Sequence, residues 1–191
     1  MSRLSQAISE GDGISLIASV RSLEAAQLAE SSGAEGLVVV VPVPGLREAT
    51  SLPILWRGSS LDGVEGAGVD ACVVVVQDDD DDLLEELHAR VVGLGLEPVA
   101  EVLNEDELEL ALERLDPEIF LLSSSGADED EEPLDRVLSL LPDVPAGKLA
   151  IAEAPAATRE DVLALERAGI DGVLVDAVDV ADLVGGESPA V

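Results

Sequence analysis

Two glutamates interrupt runs that are otherwise apolar: Glu101 in "VAEVL" and Glu153 in "AIAEA". Carboxylates that converge on one site can divide acid and base work when their surroundings separate their pKa values. They can equally pair with Arg21 or Arg57 as a buried polar cluster, because a charge taken out of water needs a counter-charge. The residue types alone leave both readings open. Other polar residues stand at the ends of apolar runs: Ser19, the triplet Ser123 to Ser125, and Asp176. Glu101, Glu153, Arg57 and Arg21 are therefore the candidate catalytic residues, and Ser123, Ser125 and Asp176 the candidate ligand contacts.

Other chemistries find no support. His88 lies in "EELHARV" with no second histidine and no cysteine nearby, and reads as structural. The serine triplet has no base at a recognisable spacing, so a nucleophilic triad is unsupported. No zinc spacing, phosphate-binding P-loop or nucleophile elbow occurs. The run "QDDDDDLL" (77–84) lacks the spaced ligands and turn glycine of a calcium loop. It reads as a turn and the first turn of a helix, where the dipole stabilises each acid by roughly 0.3–1 kcal/mol. No metal and no cofactor is expected.

The elements that must position these residues are legible as an alternation. Eight apolar runs (14–20, 36–41, 52–56, 70–76, 97–102, 118–122, 148–153 and 171–176) are continuous in character, as strands covered on both faces should be. Helical periods follow most of them: "SLEAAQLAESSG", "DDDDLLEELHARVVGLG", "NEDELELALERL", "DEDEEPLDRVLSLLP" and "TREDVLALERAG". The second of these places Leu83, Leu84, Leu87, Val91 and Leu94 on one face. Asn104 with Glu107, and Thr158 with Asp161, are spaced as helix caps. The stretches after the second and third runs are too short for more than two helical turns.

"AESSGAEGLVVVV", "VEGAGVDACVVVV" and "LERAGIDGVLVDA" repeat one phrase, a helix end at glycine followed by an acid and a strand; "LERLDPEIFLLSS" is a looser version. The phrase precedes every second strand, which suggests an internal duplication. Eight strands alternating with helices fit a closed barrel or an open doubly wound sheet; uniform burial and the lack of a glycine-rich phosphate fingerprint favour an α/β fold that is a compact (βα)8 TIM barrel with very short loops, occupying 1–191 as one domain. The chain has 191 residues, below the usual barrel length of about 250, so the loops must supply the saving.

Composition narrows the partners. There are 41 Asp and Glu against 10 Lys and Arg, a net charge of -31, which argues against nucleic acid and anionic membrane. Heat, salt or genome composition would each explain that bias. Trp56 and Phe120 are the only aromatics, too few for a base-stacking platform. Cys72 is the only cysteine and reads as a small buried hydrophobe. No apolar stretch nears 18 residues and no signal peptide is evident. A cytoplasmic monomer with a small-molecule ligand is expected.

Several segments resemble the indole-3-glycerol phosphate synthase family, the barrel of tryptophan biosynthesis. "SLIASVR" is similar to its first strand, "LPILWRG" to its third, "LEPVAEVLNEDELELAL" to its fifth strand and helix, and "LAIAEAPAATREDVLALERAGIDGVLV" to its last two units. The resemblance runs from about residue 14 to 185, and the family's extra N-terminal helical segment is not expected beyond a short "RLSQAISEG". It implies a (βα)8 barrel and the cofactor-free ring closure of a phosphorylated anilino-sugar, with loss of carbon dioxide and water. The family's fifth- and seventh-strand glutamates fall on Glu101 and Glu153. Its third-strand general-acid lysine falls on Arg57, a poor proton donor. Its first-strand glutamate and lysine fall on Ser19 and Arg21, and its sixth-strand asparagine and arginine on Ser123 and Ser125. Ala154 and Pro155 stand where it grips phosphate with Ser-Gly, and Pro155 offers no N–H. Asp176 stands in place of a glycine, where a carboxylate about 4 Å from an anion is repelled by roughly 4 kcal/mol at an effective dielectric of 20. These departures imply a non-catalytic or repurposed relative. The alternative is a carbon-carbon lyase of this type that uses Glu101 and Glu153.

Overall fold

A computed structural model describes residues 3–11, 13–64, 66–77, 81–125, 132–153, 155 and 158–184. Eight parallel strands close into a barrel in sequence order: β1 (Ser15–Ser19), β2 (Gly36–Val39), β3 (Ile54–Trp56), β4 (Ala71–Val75), β5 (Glu97–Val102), β6 (Ile119–Ser123), β7 (Leu149–Glu153) and β8 (Gly172–Asp176). Each lies inside or within one residue of its apolar run. The helices are α1 (Arg3–Glu10), α2 (Leu23–Ser32), α3 (Leu46–Ala49), α4 (Asp81–Gly93), α5 (Glu105–Arg114), α6 (Pro133–Leu140), α7 (Arg159–Ala168) and α8 (Val180–Val184). α4 begins inside the aspartate run, and Asp78 to Asp80 lie outside the described residues.

Alternate strand residues separate two cores, as the pleat requires. Ile17, Val38, Leu55, Val73, Val99, Leu121 and Ile151 fill the barrel. Their neighbours Ala18, Val39, Val74, Ala100, Leu122 and Ala152 pack outward with the helices. That double covering is why the strands read as unbroken apolar runs. α1 is the short "RLSQAISE" stretch, and its place against the barrel was not foreseen from sequence. Its Leu4 and Ile8 join the interior cluster, where full burial of each side chain contributes roughly 1.5–3 kcal/mol. The Ser5 N–H, in the first turn of α1, donates to Glu97 Oε2 at 3.0 Å. A donor without an intrahelical partner thus finds one at the start of β5.

The caps hold with small changes. Thr158 and Asp161 form a full capping box. Asn104 Oδ1 accepts from the Glu107 N–H at 2.9 Å, but Glu107 reaches back one residue further, to the Leu103 N–H. Gly33 and Gly169 end α2 and α7 at φ 102 and 104, where a Cβ is disfavoured. In the looser copy of the phrase Asp116 takes that left-handed position at φ 44, with Lys148 Nζ 2.6 Å from its Oδ1. The phrase's acid also acquires a purpose. Asp70 Oδ2 accepts the Ile54 N–H and Asp171 Oδ2 accepts the Ala150 N–H, so each acid ties the start of its strand to the preceding strand.

Two expectations fail locally. On α4, Leu84 and Val91 are buried, whereas Leu83 is 61% exposed, and Leu94, one residue past the helix end, is 39% exposed. Among the described residues the "VEGAG" copy follows a 3-10 turn, Leu61–Gly63, in place of an α-helix. Trp56 occupies the space instead. Its ring lies against Gly58 and Gly63, and Nε1 donates to the Ser60 carbonyl at 3.0 Å.

Candidate functional site

The barrel interior delivers polar groups at the C-terminal ends of its strands, the end where barrel enzymes keep their sites. The strand registers decide who is adjacent. Ser123 is level with Glu153, Ser19 with Asp176, and Val75 with Glu101. Arg57 follows β3 directly and its N–H donates to the Val39 carbonyl, so its side chain continues the inward face of Leu55.

The guanidinium forks onto both glutamates. Nε and Nη2 donate to Glu101 at 3.1 and 2.6 Å. Nη1 and Nη2 donate to Glu153, the latter at 2.6 Å. Four of the five donors that an arginine carries are thus committed to two carboxylates. The Ser123 hydroxyl donates to Glu153 Oε2, and the Ser125 N–H donates to Ser123 Oγ at 3.2 Å. The Ser124 hydroxyl and N–H both reach the Glu153 carbonyl, at 2.9 and 3.1 Å.

Burial alone would lower the Arg57 pKa. Hydrogen bonds from Glu101 and Glu153, with their charges, outweigh it and raise the value above that of a free guanidinium. Arg57 therefore stays charged at any working pH. The Glu101 side chain is 8% exposed and Glu153 25% exposed, so the cluster sinks from the mouth into the barrel. Of the two arginines that the sequence offers as partners, the geometry picks Arg57. Arg21 stays outside the cluster. It is exposed beyond β1 and has no hydrogen bond or ion pair among the described residues.

A cavity of about 500 Å³ opens above the cluster, lined by Ser19, Arg57, Ser124, Ser125, Glu153 and Asp176 among others. Asp176 is exposed there. Asp179, which the sequence reading missed, also lines it, three residues past the end of β8. Pro155 is part of the wall, while Ala154, Ala156 and Ala157 lie outside the described residues. With one guanidinium set against four carboxylates, the mouth is net negative. Among the described residues no group of three or more His, Cys, Asp or Glu is arranged to hold a metal ion. No described helix is long and apolar enough to cross a membrane.

The model of the indole-3-glycerol phosphate synthase family matches residues 58–178. Curated proteins of that name from Bacillus cereus and Bacillus thuringiensis are each 31% identical over 135 residues, 68% of this chain and 53% of theirs. The protein of Bacillus anthracis matches to the same extent. The chain thus spans about half the length of the curated relatives it matches.

Proposed function

The chain belongs to the indole-3-glycerol phosphate synthase family, and we propose that it has given up that family's ring closure and keeps its mouth for a small ligand without a phosphate. The double fork of Arg57 carries this reading. Where the family resemblance calls for a lysine that releases a proton, a permanently charged guanidinium stands instead. A general acid must exchange its proton near the working pH, and this one does not. Both glutamates are also occupied. Every carboxylate oxygen in the pair accepts from Arg57, so a proton taken up by either glutamate would weaken an ion pair.

Phosphate recognition is opposed as well. Asp176 and Asp179 face the cavity, and Pro155 supplies no N–H. A dianion there would meet like charges at short range. A neutral or cationic polar ligand suits the serine hydroxyls and carboxylates of the wall. One observation favours the alternative of a lyase in tryptophan biosynthesis: Glu101 and Glu153 do converge on a common partner within the barrel mouth.

Growth on minimal medium separates the two. A strain that lacks indole-3-glycerol phosphate synthase is not expected to be rescued by this chain. Rescue would favour the lyase. Inorganic phosphate titrated onto the purified protein is expected to leave the signals of Ser19 and Asp176 unmoved in a protein NMR spectrum. Saturable shifts at those residues would restore the phosphate site.

A further inference from the structure

We propose that the helix ring makes this fold conditional on salt: its outer charge opposes the closed barrel, and dissolved cations relieve it by diffuse screening, with no ion bound at a fixed place. The barrel mouth has no part in this, so the inference stands or falls apart from the ligand reading.

The placement of charge carries it. The chain has 41 Asp and Glu against 10 Lys and Arg, and several of those bases are spent inside. Arg57 is held between Glu101 and Glu153. Arg47 turns onto Asp70 and the carbonyls of Thr50 and Leu52, and Arg136 onto the Leu103 carbonyl. The surplus acids stand on the outer faces of the helices, where Glu86 of α4, Glu105, Glu109 and Glu113 of α5, and Glu160 and Glu166 of α7 are exposed. On α5 the conflict is local. Glu105, Glu109 and Glu113 follow one another at four-residue steps and form one exposed stripe. Like charges at that spacing destabilise a helix.

Of the three causes that the composition allows, this placement favours salt. Adaptation to heat works through ion-pair networks, which match surface acids with bases. A GC-rich genome would raise arginine along with Asp and Glu, which this chain does not show. Native folds are stable by a narrow margin, and self-repulsion works against the compact state. The core has little to set against it, with Trp56 and Phe120 its only aromatics. Screening shortens the reach of the repulsion, so stability rises as salt is added.

Thermal melts followed by circular dichroism in about 0.01 M and about 1 M KCl test this, since the Debye length falls from about 30 to about 3 Å across that range. The parent midpoint should rise by about 5 °C or more. NaCl should act as KCl does. Glu109→Lys turns two like-charge pairs into opposite ones, so its midpoint should lead the parent's by about 2–4 °C at the lower salt and lose most of that lead at the higher. A flat or falling parent midpoint, a gain from one cation alone, no lead at the lower salt, or a lead undiminished at the higher would overturn the proposal.

Discussion

Arg57 grips Glu153 through both terminal nitrogens, and the Ser123 hydroxyl donates to the same carboxylate from the neighbouring strand. Glu101 takes the other side of the guanidinium. One positive charge is therefore shared between two carboxylates, and either alone can balance it.

That sharing sets the cost of losing one partner. Glu153→Gln leaves Arg57 paired with Glu101 and removes the surplus negative charge, so stability should change by no more than about 1 kcal/mol in urea unfolding at neutral pH. Replacing both glutamates leaves the guanidinium without a counter-charge. The double variant should lose more than the sum of the singles, by about 1 kcal/mol or more. A loss near 3 kcal/mol from Glu153→Gln alone would show that the charge is not shared.

The lone tryptophan reports on the missing helix after β3. A Cβ on Gly58 would run into the Trp56 ring, and one on Gly63 would sit 2.9 Å from it. Gly58→Ala should cost about 1–3 kcal/mol, the range for overpacking, and shift the tryptophan emission. Unchanged stability and emission would mean that the ring does not fill that space.

Asp171 gives a pH signature. Burial raises its pKa, although its hydrogen bond from the Ala150 N–H acts in the other direction. An acid whose folded value lies above its unfolded one binds more protons when folded, so it lowers stability as pH rises through that window. Asp171→Asn keeps an acceptor for Ala150 and removes the burden. Its melting midpoint should exceed the parent's at neutral pH, and the gain should vanish below the unfolded value near about 3.9. A variant less stable at neutral pH would show that the charge itself is needed there.

Cys72 points outward into the strand–helix core, and burial pushes its thiol up to about 11. Thiolate is the reactive form. The native protein should resist a thiol reagent at mildly alkaline pH and react fully once unfolded. Rapid labelling of the native state would place Cys72 in an opening segment.

How much was legible follows from where each signal is stored. Strands showed because both faces are buried, so β4 is apolar throughout and β6 is apolar up to Ser123. Glu101 and Glu153 stood out for the same reason, as charges in otherwise apolar runs. Thr158 and Asp161 lie three residues apart and form a local cap. Non-local features were hidden. Nothing near Leu4 and Ile8 says that they enter the barrel, and the Glu97 contact to Ser5 spans 92 positions. Leu83 and Leu94 satisfy the helical period loosely, and only the position of the sheet shows that they face away. Arg21 and Arg57 were equivalent partners on paper. Arg57, directly after β3, continues the inward face, while Arg21, two residues past β1, turns out to solvent. The gap after β3 was visible as a short segment, but the role of Trp56 in filling it was not.

Turnover of the phosphorylated anilino-sugar by the purified chain tests the central claim most directly: a guanidinium clamped by Glu101 and Glu153 leaves the mouth without a proton donor. Followed at low and high salt by indole absorbance, the reaction should not exceed the rate without protein. Indole-3-glycerol phosphate formed in proportion to protein, and abolished by Glu101→Gln, would contradict it.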